Sequence, residues 1–234
     1  MVRSLQPGIL VNGRCGLPGD FSTPEGHIAS SETMWESCMT MNNNWGWHAG
    51  DNNWKSPKTV CQLLRQAASG RGNLLLNIGP KPDGSIPQPC IDILNKVGEW
   101  LKLNGQSIYD SERFDVDAYT SRGRSDWTHH GFFTARGNNF YLHLHSWPGK
   151  TLILTGIQCK VKEISLLASG KKYQFVQNFQ KLAINLNEDF HDMSMPVVLH
   201  FKTESPPSIY RSGGYRDPNV PHCRYDPLPS EVKH

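Results

Sequence analysis

The stretch Gly72-Asn73-Leu74-Leu75-Leu76-Asn77-Ile78-Gly79-Pro80 decides the fold class of this 234-residue chain. From 73 to 78 it is dominated by Leu74-Leu75-Leu76 and Ile78 without period-two alternation, the pattern of a parallel-sheet strand covered on both faces. Gly79-Pro80-Lys81-Pro82-Asp83-Gly84 behind it is turn chemistry. Upstream, Val60, Leu63, Leu64 and Ala67 stand at i, i+3, i+4 and i+7, which predicts an amphipathic helix over 58–69 that Gly70 and Gly72 end. Downstream, Ile91, Leu94, Val97 and Leu101 share one face of a second predicted helix, 89–104. Pro89 suits its first turn and Gly105 its stop.

Further towards the amino terminus, 35–41 reads as a strand. Asn42-Asn43-Asn44-Trp45-Gly46-Trp47 after it is a loop, because three consecutive Asn form neither strand nor helix well. Residues 8–13 read as a short buried strand ending near Arg14, followed by a Gly/Pro/Ser-rich loop that holds Asp20, Glu25 and His27. Beyond Tyr109 helical periodicity disappears. Short segments at 131–133, 139–145, 160–167 and 195–201, separated by Gly/Asn/Pro turns, predict a β-sandwich. The expected organisation is an α/β unit over 1–108, an all-β domain over 109–203, and an extended Pro-rich tail of low order over 204–234. No internal repeat is present.

Composition narrows the function classes. Hydrophobic residues make up 37% and charged residues 19%, which excludes wholesale disorder. No apolar run approaches the roughly 20 residues of a membrane span. Lys+Arg 24 against Asp+Glu 21 gives a formal charge of +3 without basic runs, so a nucleic-acid partner is not expected. The stock of 7 Trp, 7 Tyr, 9 Phe and 10 His supplies flat rings of the kind that hold the C–H faces of sugars. Cys15, Cys38, Cys61, Cys90, Cys159 and Cys223 form no C-x-x-C pair and have no His at zinc-finger spacing, so no structural metal is expected. Cys61 and Cys90 sit inside apolar patterns and read as buried thiols. Met1 to Pro7 lack the apolar stretch of a signal peptide.

Five motifs in order carry a family resemblance. They are Trp35-Glu36-Ser37-Cys38-Met39-Thr40 with Asn44-Trp45-Gly46-Trp47; Gly72 to Pro80; Asp83-Gly84; Gly98-Glu99-Trp100-Leu101; and Asn104-Gly105-Gln106-Ser107-Ile108-Tyr109. At those spacings the set resembles the carboxy-terminal part of a retaining α-L-fucosidase, densely over residues 5 to about 110 and loosely beyond. The resemblance implies the end of a catalytic (β/α)8 TIM-type barrel followed by a carboxy-terminal β-sandwich, agreeing with the α/β plus all-β reading of the residues. Functional groups of such barrels stand at the carboxyl ends of strands and in the loops after them. Arg14, Glu25, Glu36, Trp45 and Asn77 occupy such positions or loops in the expected element order.

The implied chemistry is hydrolysis of terminal α-L-fucose from glycoconjugates by two carboxyl groups about 5–5.5 Å apart. Asn12-Gly13-Arg14-Cys15-Gly16 resembles the family's Asn-Asp-Arg-Trp-Gly, with Gly13 and Cys15 departing from it. Thr23-Pro24-Glu25-Gly26-His27 then puts Glu25 at the acid/base position, with Glu36 as its rival. Arg14 matches the family's contact to sugar hydroxyls, and Trp45 an aromatic that lines the fucose methyl. Asn77 is open between a support and a sugar contact. No metal or organic cofactor is implied, since two carboxylates suffice. The partner is a fucosylated glycan or fucoside. The compartment stays open, although the family points to secretion, a periplasm or a lysosome.

About 108 residues precede the β-domain, whereas a whole barrel takes about 250. The chain is therefore expected to be an amino-terminally truncated part that lacks the nucleophilic Asp, is inactive alone and exposes a half-barrel face; assembly with another chain or with itself through that face is a separate alternative. Asp20 shares a loop with Glu25 and is not expected to oppose it. The alternative is a non-catalytic carbohydrate-binding protein using β-domain aromatics such as Trp127 and Trp147. His143 and His145, at i and i+2, read as the outer face of a half-buried strand rather than metal ligands. His129-His130 reads as an unrelated β-domain loop.

Overall fold

The computed structural model describes residues 2–28, 33–114, 131–144, 146–178, 181–187 and 193–209. The chain divides into two compact units, Met1–Arg113 and Phe114–His234. It is sheet-rich with few helices.

The first unit opens with a one-turn helix α1 (Val2–Leu5) and a 3-10 turn, Gly13–Cys15. Its centre is strand β1 (Trp35–Thr40), helix α2 (Pro57–Ser69), strand β2 (Gly72–Asn77) and helix α3 (Gln88–Asn104), with a short strand β3 (Glu112–Arg113) at the end. β1 and β2 pair in parallel, Trp35 opposite Gly72 and Thr40 opposite Asn77. α2 starts where Ser56 accepts the Thr59 N–H and Pro57 occupies the first turn. It packs against β2 and α3. On one face of β1, Trp35, Ser37 and Met39 are buried. Trp35 fills the space beside Gly72 and donates its indole N–H to the Gly70 carbonyl at 2.9 Å.

Two expectations for this unit are corrected. β2 is not covered on both faces: its burial alternates and Leu75 is 52% exposed. Residues 8–13 are not a buried strand, for Leu10 is exposed and Asn12 alone pairs, in a parallel bridge to Phe21. The backbone partners a strand would need are taken locally. The Asp20 carboxylate accepts the Val11 N–H at 2.7 Å, the Asp20 N–H goes to the Val11 carbonyl at 2.7 Å, and Asn12 caps the turn that follows.

The second unit contains β4 (Gly131–Arg136), β5 (Asn139–Leu144), β6 (Thr151–Leu154), β7 (Val161–Leu166), β8 (Gln174–Asn178), β9 (Lys181–Asn185) and β10 (Val197–Thr203). One antiparallel sheet has the order β4-β5-β10-β7, the other β6-β9-β8. Both contribute to one core, in which Phe140, Leu142, Leu144, Phe201, Leu152, Leu154, Leu182 and Ile184 are all buried. Phe140 stacks on Phe201 with ring centroids 4.3 Å apart. The one-sided sheet alternates cleanly: Leu152, Leu154, Leu182 and Ile184 point inward, while Ile153 and Val176 stay exposed. Its three strands went unread in the sequence.

His143 is corrected as well. It is fully buried, with its Nε2 3.1 Å from the Thr134 hydroxyl, because β5 is covered on both faces. His200 stacks on Tyr141 and bonds Asn139 on the same layer. His145, Trp127, His129 and His130 lie outside the described residues, as does Cys223. Among the described residues no group of His, Cys, Asp and Glu is arranged to hold a metal ion. No described helix is long and apolar enough to cross a membrane. Cys61, Cys90 and Cys159 are buried free thiols and Cys38 is a half-buried one. The start of the Pro-rich tail is tied down: Ile209 bridges Ile157, and the Gln158 N–H donates to the Ser208 carbonyl at 2.9 Å.

Candidate active site

Residues 22–26 run alongside β1 as an irregular parallel neighbour. Ser22 bridges Trp35 and Glu25 bridges Cys38, and the Gly26 N–H donates to the Cys38 carbonyl at 2.9 Å. With Cys38 opposite Leu75, the residues Glu25, Cys38 and Leu75 form a row across three parallel segments. Bridge partners share a face, so Glu25 stands on the side of β1 opposite buried Trp35, Ser37 and Met39. Gly26 ends this segment with φ +77°, a turn that favours glycine.

Arg14 leaves the capped turn and reaches this row. Its Nη1 donates to Glu25 Oε2 at 3.0 Å, its Nε to the Thr23 hydroxyl at 3.1 Å, and its Nη2 to the Thr23 carbonyl at 3.4 Å. Thr23 and Glu25, two residues apart on one extended segment, thus present their side chains to one guanidinium. Both partners of the ion pair are about half exposed, at 50% and 47%. Glu36 lies on β1 opposite Asn73, two residues before the Glu25 row, half-buried and without an ion pair to a described residue. The structure thus brings Arg14 to Glu25, and Glu36 shares the face of β1 that carries Cys38.

Trp45 sits in the loop after β1, with Trp47 beside it; both keep over two-fifths of their surface exposed. Asn77, at the end of β2, donates its side-chain amide to the Trp45 carbonyl at 2.6 Å, while its own carbonyl accepts the Met41 N–H at 3.1 Å. Asn77 is thereby a support for the Trp45 loop. Trp45 follows the carboxyl end of β1, Glu25 is the last bridged residue of its segment, and Arg14 comes two residues after the Asn12 bridge.

Asp51 escaped the sequence reading. Its carboxylate is largely buried and accepts the Asn43 N–H at 3.0 Å, the Asn44 side-chain amide at 2.7 Å and the Asn53 N–H at 3.1 Å. Burial pushes its pKa up, but these hydrogen bonds and nearby His48 outweigh that and hold it below the usual value. The available signal was an Asn-rich stretch on both sides of one Asp, 42–44 and 52–53. Asp20 is engaged elsewhere. Arg3 pairs with it at 2.6 Å, and the Val11 N–H and Arg3 bonds lower its pKa.

Residues 1–106 match the family model described as Alpha-L-fucosidase. That segment is similar to the α-L-fucosidases. The plasma alpha-L-fucosidase of Homo sapiens is 29% identical over 160 residues, which are 64% of this chain and 32% of that protein. Plasma alpha-L-fucosidase of Pongo abelii is 37% identical over 89 residues, 37% of this chain and 19% of its own length. Among solved structures, alpha-L-fucosidase isoenzyme 1 from Paenibacillus thiaminolyticus superposes with a TM-score of 0.76 at 31% identity, over 88% of this chain and 52% of that one. The chain spans between 19% and 32% of those two curated fucosidases' length. The family resemblance read from the five motifs is borne out.

Proposed function

We propose that this chain supplies the acid/base and sugar-holding side of a retaining α-L-fucosidase site. The single observation that carries the reading is the Arg14–Glu25 pair, on the segment that runs parallel to β1 in the fucosidase-matching unit. In this reading residues 1–108 are the carboxy-terminal portion of a (β/α)8 barrel, 109–203 a β-sandwich and 204–234 a tail. Glu25 is the acid/base residue, with Glu36 its rival. Arg14 donates to sugar hydroxyls, and the exposed indole of Trp45 faces the apolar edge of fucose.

The chemistry follows the retaining scheme. A carboxylate opposite Glu25 attacks the anomeric carbon, forming a glycosyl–carboxylate bond as the glycosidic bond breaks. The protonated Glu25 gives its proton to the departing oxygen. Glu25, now ionised, takes a proton from water, which attacks the same carbon and releases fucose and the free carboxylate. Arg3 and the Val11 N–H occupy Asp20, which supports assigning the second carboxylate to polypeptide beyond residues 1–234. The substrate is a fucosylated glycan or simpler fucoside. The exposed sheet face that carries Leu75 supports self-association, to be followed by sedimentation.

Purified 1–234 is expected to leave an aryl α-L-fucoside intact and to bind L-fucose in calorimetry through Arg14 and Trp45. Turnover by 1–234 that Glu25→Gln abolishes would refute the assignment of the second carboxylate. Fucose binding unchanged in both R14A and W45A would refute the proposed sugar site. The binding alternative rests on Trp127 and Trp147; Trp147 is packed against the core, which speaks for a structural role.

A further inference from the structure

We propose that Asp51 is a positioning residue that holds the Trp45-Gly46-Trp47 loop in the shape that meets a sugar ring. The inference rests on the α-L-fucosidase reading for its ligand, but the loop architecture stands without it. Residues 41–44 leave β1 and residues 51–55 return beside them: the Lys55 N–H donates to the Met41 carbonyl at 2.8 Å, and the Asn53 side-chain amide to Asn43 Oδ1 at 3.1 Å. Asp51 sits between these two stems. Its Oδ2 takes the Asn43 N–H and the Asn44 amide, which precede Trp45 directly, and its Oδ1 takes the Asn53 N–H on the returning stem, with the Asn43 amide at 3.4 Å. The Asp51 N–H donates to the His48 carbonyl at 3.1 Å, closing the loop behind Trp47.

Every partner of the carboxylate offers a proton, so the central group must be acceptor-only. An ionised carboxylate is, and an amide is not. Asn77 fixes the Trp45 carbonyl from the other side. The apex, which carries two half-exposed indoles and a glycine, is therefore held at both ends while its faces stay open. A loop that presents exposed aromatic surface to water has no packing of its own to fix it, and the buried carboxylate supplies that constraint.

The test compares the full chain with Asp51→Asn and Asp51→Ala. Acrylamide quenching of tryptophan fluorescence is measured for each, with W45F/W47F as the background that isolates the loop signal. The thermal midpoint reports overall folding. The expected result for D51N is increased quenching of Trp45 and Trp47, a midpoint close to wild type, and L-fucose affinity reduced about tenfold or more. D51N with wild-type quenching overturns the inference. Quenching that rises equally in the W45F/W47F background, with a lowered midpoint, also overturns it, since Asp51 would then support the fold at large. If wild type itself binds no L-fucose, the sugar-site reading fails, while the loop result still decides the role of Asp51.

Discussion

Nη1 of Arg14 and Oε2 of Glu25 lie 3.0 Å apart, and the same guanidinium holds both the hydroxyl and the carbonyl of Thr23. One cation thus fixes the extended segment that carries the proposed acid/base residue. The ion pair is half exposed, where such pairs contribute at most about 1 kcal/mol. Its importance is geometric.

That separates catalysis from stability at Glu25. When 1–234 is complemented by polypeptide that supplies the second carboxylate, Glu25→Gln is expected to lower kcat on an aryl α-L-fucoside roughly 10²–10⁴-fold. Its unfolding free energy should shift by less than about 1 kcal/mol. Glu36→Gln should leave kcat near wild type. The reverse ranking of the two variants would transfer the acid/base role to Glu36.

Close approach makes two glycines sharp probes of the separate units. A Cβ on Gly72 would lie 2.1 Å from a ring carbon of Trp35, whose indole is buried and bonded to Gly70. Gly72→Ala should destabilise the first unit by about 1–3 kcal/mol in denaturant unfolding. On Gly131 a Cβ would lie 1.9 Å from the His143 carbonyl oxygen, in a strand ladder with little room to move. G131A should cost about 3 kcal/mol or more, seen in the second unit. Wild-type midpoints for either variant would contradict the packing described here.

Acid should weaken the second unit through His200. Burial lowers its pKa from 6.5, Lys202 acts the same way, and Glu163 opposes them. As the pH falls through 6.5 the unfolded chain binds a proton that the folded chain refuses, so stability declines. The decline ends once the pH passes the lowered folded value. Thermal midpoints measured against pH should show a shallower fall in His200→Gln than in wild type, and parallel curves would rule His200 out.

Cys61 and Arg65 are both buried, one helical turn apart on α2. Burial pushes the Cys61 thiol up to about 12, and the Arg65 charge only partly opposes this. Since the thiolate is the reactive form, Cys61 should resist iodoacetamide in the native chain and react once denaturant is added. Mass mapping of the alkylated peptide reads this directly; rapid native labelling at Cys61 would contradict it.

The carriers of the first unit were legible in one dimension. The 3.6-residue period of Val60, Leu63, Leu64 and Ala67 and the Leu-rich run within 73–78 report local secondary structure, and α2 and β2 form there. The Glu25 neighbourhood was legible as a motif. Its contact with Arg14 was not, because an ion pair across eleven residues depends on how the loop between them is bonded. His143 shows the same limit: alternation in 139–145 says which residues share a face, not whether that face meets water. The strands β6, β8 and β9 are too short for a clear signal and are set by pairing with one another.

The sequence by itself determined the helix and strand periods, the turns and the family likeness, because each is written in neighbouring residues. Tertiary structure alone decided that 8–13 is no strand, that β2 leaves Leu75 exposed, that His143 is buried and that Asp51 gathers the loop of Trp45. Those outcomes depend on which distant groups compete for each hydrogen bond and each face, and no local pattern records that competition.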